Sequence, residues 1–251
     1  MKKNNFYLFS FVMLALLGVG FISCGGDDDD VKLSISPESV SMYYEDTQQL
    51  TPSEKVDSWI SENEFVAKVS STGLVTGGHI GSTRIKAIQG NRTAYSTITI
   101  NPKYNLFDTP VTDFGASMSS IKSKETHKLY SESDNIIYYT YAEGNHPCLV
   151  YYTFKNGKMS GIMAILKESD YATAGYYLLE RYQPAGTTNG LFVFLNEKTK
   201  EKATMSVTLG LEKVSGSYVT GIMYLAYPDE SYAPSRRSIP MDDPVINNFL
   251  Q

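Results

Sequence analysis

The sequence predicts a chain in two parts. Residues 31–101 form an all-β sandwich. Residues 102–251 form an α+β region in which a helix plus three antiparallel strands occurs twice. Three observations predict this. Short β-branched runs punctuated by turn residues fill 31–101. Two segments of helical period interrupt the strand pattern after residue 102. Corresponding elements of the two later halves lie 52, 55 and 55 residues apart, counted from Ser117 to Ser169, Asn135 to Gly190 and Cys148 to Ala203.

The chain starts with a basic Lys2-Lys3 pair, an apolar run from Phe6 to Ile22 broken by Ser10, and the small residue Ser23. A charged start, an apolar middle and a small residue before the cut make a secretory signal, residues 1–23. Cys24 follows directly and resembles the lipobox cysteine of bacterial lipoproteins, although Phe21 stands where that pattern prefers Leu, Val or Ile. The resemblance implies that the Cys24 thiol is acylated, carries chains such as palmitate and becomes the mature N-terminus. An uncleaved membrane helix is the alternative, but the run falls just short of the ~20 residues a full span needs. Gly18 and Gly20 near its end also suit a cleavage region better than a helix centre. Residues 24–30 contain Asp27 to Asp30. Adjacent like charges repel and stay extended, so this stretch serves as a tether. It also resembles the acidic signal that carries some lipoproteins to the outer face of a Gram-negative outer membrane.

Removing residues 1–23 from the 251 leaves 228, enough for two domains, with 20 basic against 27 acidic residues and a net charge of −7. An acidic chain without a basic cluster argues against nucleic acid as a partner. Lipid would consume Cys24 and leave Cys148 alone, so no intrachain disulfide is expected. Of 19 tyrosines, 15 follow residue 103.

In 31–101, Leu33, Ile35, Val40 and Met42 alternate with polar neighbours, and Thr83–Ile88 and Thr93–Ile100 are strands joined at Gln89-Gly90-Asn91-Arg92, a hairpin signal. Trp59-x-Ser61-x-Asn63-x-x-Val66-Ala67-x-Val69, Gly73-Leu74-Val75-Thr76-Gly77 and Gly81-Ser82-Thr83-x-Ile85-x-Ala87 resemble the bacterial Ig-like domain of group 2. The resemblance implies an Ig-like sandwich, with Trp59 between the sheets and Gly73, Gly77 and Gly81 in turns that a side chain would strain. It implies a spacer or binding module and no catalysis.

After the linker at Asn101-Pro102-Lys103, Ser117 caps a helix expected to run to about Leu129. Strands follow at 135–142, 148–154 and 158–166, the last two joined by Lys155-Asn156-Gly157, the best hairpin signal in the chain. A second helix, capped by Ser169, places Tyr171, Ala174, Gly175, Leu178, Leu179 and Tyr182 on one face and ends at Pro184 and Gly186. Strands at 190–197, 203–212 and 218–227 complete the pattern, and glycines 210 and 221 inside them suggest bulges or close backbone approach. The tail from Asp229 is too proline-rich for regular structure, with a last short element at 245–250. The element order is similar to the β-lactamase-inhibitor-like fold, which implies a lean toward protein inhibition.

Chemistry is sparse. His146-Pro147-Cys148 puts a thiol near an imidazole, but a buried small hydrophobe is the expected role for Cys148. His79, His127 and His146 lack metal-ligand spacing, and they and Glu180-Arg181 are expected on the solvated surface. No catalytic residue, metal ligand or cofactor is assigned. The leading expectation is a surface lipoprotein with a non-catalytic binding or adhesion role toward a glycan or a protein. Its candidate ligand-facing residues are Tyr138, Tyr139, Tyr141, Tyr151 and Tyr152, of which strand alternation lets about half face outward. The alternatives are an inhibitor or enzyme in 102–251, and a structural subunit of a surface assembly, to which an unpaired strand edge would point.

Overall fold

The structure is a computed structural model of the chain and describes residues 32–143, 146–214, 216–228 and 244–250. The signal segment, Cys24, the aspartate run and most of the proline-rich tail lie outside the described residues.

The first part is a small sandwich built of nine strands: β1 (Ile35–Ser36), β2 (Ser39–Met42), β3 (Thr47–Gln49), β4 (Thr51–Pro52), β5 (Ser58–Ser61), β6 (Ala67–Val69), β7 (Leu74–Gly77), β8 (Gly81–Gln89) and β9 (Arg92–Ile100). One sheet has the order β2-β9-β8-β5 and the facing one β3-β7-β6, with β1 paired to β4 beside them. Period two decides which side chains go inward. Thr83, Ile85 and Ala87 on β8 and Ala94, Ser96, Ile98 and Ile100 on β9 are buried, while their neighbours are more exposed. They meet Leu33, Leu50, Val66 and Val75 in one core, against which Trp59 packs. The Gly90-Asn91 hairpin forms as the sequence predicts, pairing Gln89 with Arg92.

Gly73 shows why two of the glycines are needed. Its φ is +83°, and an added Cβ would lie 2.8 Å from the Leu50 carbonyl oxygen and 2.8 Å from Trp59 Cζ2. The Gly73→Ala variant is expected to lose about 2–4 kcal/mol of stability, read as a lower urea midpoint, from left-handed strain plus displacement of Trp59. Gly77 has no positive φ; a Cβ there would stand 2.5 Å from the Tyr43 carbonyl oxygen, so close backbone approach is its reason.

The second part is one eight-stranded antiparallel sheet. Helix α1 (Met118–Lys124) precedes β10 (Lys128–Glu132), β11 (Ile136–Glu143), β12 (His146–Lys155) and β13 (Lys158–Lys167). A single 3-10 turn (Glu168–Asp170) and α2 (Tyr171–Leu179) precede β14 (Gln183–Thr188), β15 (Leu191–Leu195), β16 (Met205–Val214) and β17 (Ser217–Ala226). Helix α3 (Pro244–Leu250) follows β17. The sheet order is β10-β11-β12-β13-β17-β16-β15-β14, so two four-strand meanders join through their last strands.

This corrects the expected three strands per unit. The missing strands are the outer ones, β10 and β14. The first helix is expected to reach about Leu129, which takes in the start of β10, but α1 ends at Lys124 because Glu125 leaves the helix to meet donors in the core. Pro184 and Gly186 were read as helix stops, yet both lie within β14, where the register shifts between them. The second helix starts on the 3-10 turn rather than on a Ser169 cap. Asp170 holds the N-cap position without a capping bond because its carboxylate turns to His146 instead. Asn156 (φ +54°) and Gly157 (φ +72°) make the predicted hairpin between β12 and β13. Gly210 and Gly221 face one another across β16 and β17 without a bulge, and Leu191 fills the space over Gly210.

Both faces of this sheet are apolar. On one face α1 and α2 pack over Tyr139, Tyr141, Cys148, Val150, Tyr152, Ala164 and Tyr224. On the other, Ile246 of α3 is buried with Tyr138, Leu149, Tyr151, Met163 and Met223. The described residues from Leu33 onward form one unit with these cores and that of the sandwich.

Candidate functional site

A cleft of about 520 Å3 lies between α2 and the β14–β16 end of the sheet. Helix α2 buries Ala174, Tyr177 and Leu178 in the core. This turns Tyr171, Gly175 and Tyr176 toward the cleft. Phe192 and Phe194, two apart on β15, project to the same side, and Leu209 on β16 contributes to the lining. Among the described residues, none that lines it is charged. Two large rings are left in solvent there, Tyr176 at 54% and Phe192 at 47% exposure. Tyr104 stacks on Tyr176 with centroids 5.1 Å apart, which fixes the orientation of that ring. Gly175 keeps the cleft wide: a Cβ there would meet only Leu209 Cδ2, at 3.9 Å.

The five candidate tyrosines are elsewhere, and all are buried rather than outward-facing. Tyr138, Tyr139, Tyr141, Tyr151 and Tyr152 are each at most 4% exposed. Alternation divides them between the two faces, as it must. Both faces are covered, however, by α1 and α2 on one side and by α3 on the other.

Two of these rings, Tyr141 and Tyr152, belong to a buried carboxylate network. Glu125, at the C-cap of α1, has a side chain 2% exposed. Its Oε2 accepts from the hydroxyls of Tyr141 and Tyr152, each at 2.5 Å, and its Oε1 from His127 Nδ1 at 2.7 Å and from the backbone N–H groups of Thr126 and His127. The His127 ring stacks on Tyr141 at 3.6 Å. Burial by itself would raise the Glu125 pKa, but the hydroxyl and imidazole donors outweigh it and hold the acid below its ordinary value. Burial pushes the Tyr141 and Tyr152 hydroxyls well above theirs. The lone pairs of Glu125 are committed to these donors, which ties α1 and its following turn to the sheet.

A second network joins the sandwich to α2, against the expectation that Glu180-Arg181 is solvated. The Glu180 side chain is 2% exposed and accepts from the backbone N–H groups of Lys103 and Tyr104, both at 3.0 Å, and from Arg181 at 2.7 Å. The Arg181 guanidinium lies 3.7 Å from the centroid of Tyr177 and donates to the carbonyls of Tyr104 and Tyr177. The last carbonyls of a helix lack intrahelical partners. Here Ile80 N–H of the sandwich donates to the Glu180 carbonyl at 2.8 Å, and His79 Nδ1 to the Leu179 carbonyl at 3.1 Å. His79 is 5% exposed and packs 4.0 Å from Phe65, so it is buried where a surface position was expected. Burial lowers its pKa below the ordinary histidine value. A polar cavity of about 240 Å3 lies at this seam, lined by Phe65, Lys68, His79, Gln183 and Lys198 among others.

His146 Nδ1 bonds Asp170 Oδ1 at 2.8 Å, and Cys148 follows two residues on along β12. The thiol is wholly buried and its ionisation is pushed far up by desolvation. A thiolate nucleophile needs the opposite environment, and Cys148 packs as the small hydrophobe the sequence predicts.

Residues 32–100 match the bacterial Ig-like domain family, group 2. This agrees with the sandwich geometry and with the residues expected from the motifs. No curated protein matches the chain.

Proposed function

We propose that the chain is a non-catalytic binding protein held outside the cytoplasm by acyl chains on Cys24. The acidic segment 24–30 serves as tether, the Ig-like domain as spacer and the α2–β14 cleft as ligand site. The setting this implies is the outward face of a Gram-negative outer membrane. The observation that carries the binding role is the uncharged cleft with two aromatic rings left in solvent at its lining. Exposed apolar rings beside a concave site mark recognition surfaces. The lining offers few polar groups to sugar hydroxyls, so a protein ligand is favoured over a glycan. The two α-plus-four-strand units support protein inhibition as the second reading.

Two measurements test this. Capture of surface proteins and glycans by the full chain is expected to fall about tenfold in Tyr176→Ala and Phe192→Ala, since aromatic anchors dominate such interfaces. Capture indifferent to both overturns the placement of the site. Cys24→Ala is expected to lose acylation and membrane retention, because each buried acyl CH2 contributes about 0.8 kcal/mol. A variant that stays membrane-bound with its signal segment uncut identifies a membrane-spanning anchor instead.

A further inference from the structure

We propose that β14 and the cleft beside it form a receptor for an extended, uncharged peptide strand. This rests on the protein-binding reading above and specifies its ligand. Three observations carry it.

β14 ends the sheet, and among the described residues β15 is its only strand neighbour. A terminal strand presents a row of main-chain donors and acceptors to whatever approaches. Natural edges are usually blunted by charge. The opposite terminal strand, β10, begins at Lys128 and ends at Glu132, and its Tyr130 meets Phe249 of α3 edge-on. β14, Gln-Pro-Ala-Gly-Thr-Thr, carries no charge at all. The cleft then lies alongside this bare edge, with Pro184, Gly186 and Thr187 of β14 in its wall.

A strand added to β14 would extend the floor of the cleft beside α2. Its alternate side chains would point to the helix side of the sheet, toward Tyr176 and Phe192. Pro184 has no N–H to offer, and Gly186 (φ +114°) sits at the register shift, so pairing runs along Gly186–Thr188. The absence of charge from the lining selects against charged side chains, whose burial there would go uncompensated.

The test uses the full chain in lipid nanodiscs and a fluorescein-labelled octapeptide alternating threonine and leucine, followed by fluorescence polarisation. Two further probes carry N-methyl groups on all threonine nitrogens or on all leucine nitrogens. Along a strand these two sets of N–H groups point to opposite edges. Saturable binding is expected for the parent peptide. About tenfold or greater loss is expected for one methylated form but not the other, since pairing uses one edge only. Gly175→Leu, whose Cβ would make an ordinary van der Waals contact with Leu209 Cδ2 and which places a good helix former beside the cleft, is expected to keep the fold and to lose binding by a similar factor. Three results overturn the proposal: no saturable binding of the parent, equal binding of both methylated forms, or occupation of the edge by a second copy of the chain in the absence of peptide. If these probes fail while the Tyr176 and Phe192 variants still lose capture of a surface protein, the binding role stands and only the strand receptor falls.

Discussion

Glu180→Ala is expected to lower the unfolding free energy by about 3–5 kcal/mol, the usual cost of removing one member of a buried ion pair. The loss has three parts. Lys103 and Tyr104 keep backbone N–H groups without their acceptor, and Arg181 keeps a largely buried charge without its partner. The linker then has no fixed path past α2. Glu180→Gln retains an acceptor and is expected to cost less, about 1–3 kcal/mol. Trp59, the only tryptophan, reports on the sandwich, whereas far-ultraviolet circular dichroism reports on both parts. In the parent protein the two urea transitions are expected to coincide. In Glu180→Ala the tryptophan transition is expected to part from the other, as coupling across the seam is lost. Coincident and unshifted transitions in the variant would show that the joint contributes nothing.

What made the fold legible was local chemistry. Asn156, Gly157 and Gly90 adopt turn conformations open to few other residues, and the strands on either side alternate cleanly, so these hairpins follow from residues a few places apart. The face of α2 that holds Ala174 and Leu178 is equally local. The outer strands were hidden for the opposite reason. Lys-Leu-Tyr-Ser-Glu and Gln-Pro-Ala-Gly-Thr-Thr have weak strand character by themselves and are held by one neighbour each. The tyrosines were misplaced because period two assigns a residue to a face but says nothing of what covers that face. α3, which follows β17 by 18 residues, cannot be placed by periodicity. Glu125 and Glu180 defeated sequence reasoning because acidic side chains are expected in water, and only the assembled core reveals their donors. The cleft combines two signals that were legible, Gly175 in the helix pattern and Phe192-Phe194 in a strand, with an edge strand that was not.

Glu125→Ala is the second variant with a large expected effect, a loss of about 3 kcal/mol or more as Tyr141, Tyr152 and His127 lose their common acceptor. The hydroxyls of Tyr141 and Tyr152 lie 3.0 Å apart and can still bond one another, which keeps the loss from growing further. The same carboxylate sets a pH response. Because its folded pKa lies below the ordinary 4.5, it adds stability above that value, and the contribution is lost as pH falls through the folded pKa. His79 acts at higher pH. Its folded pKa is depressed from 6.5, so the fold favours neutral imidazole, and stability declines as pH drops below about 6.5 toward the folded value. Urea midpoints measured from pH 8 to 3 are expected to fall in two stages. His79→Asn should flatten the first stage and Glu125→Gln the second. A single stage unaffected by either variant would remove both groups from the acid response.

The position of β17 between β13 and β16 has a consequence for biogenesis. The earlier hairpins of each meander can assemble as soon as they are made, yet the two meanders cannot unite until residues 217–226 arrive. Until then β13 and β16 each expose an unmated border rich in valine, leucine, isoleucine and methionine, the kind of surface on which chains stick to one another. These borders therefore need shielding until β17 arrives. A stop codon just before residue 217 should yield two unjoined half-sheets prone to clumping rather than a smaller working protein.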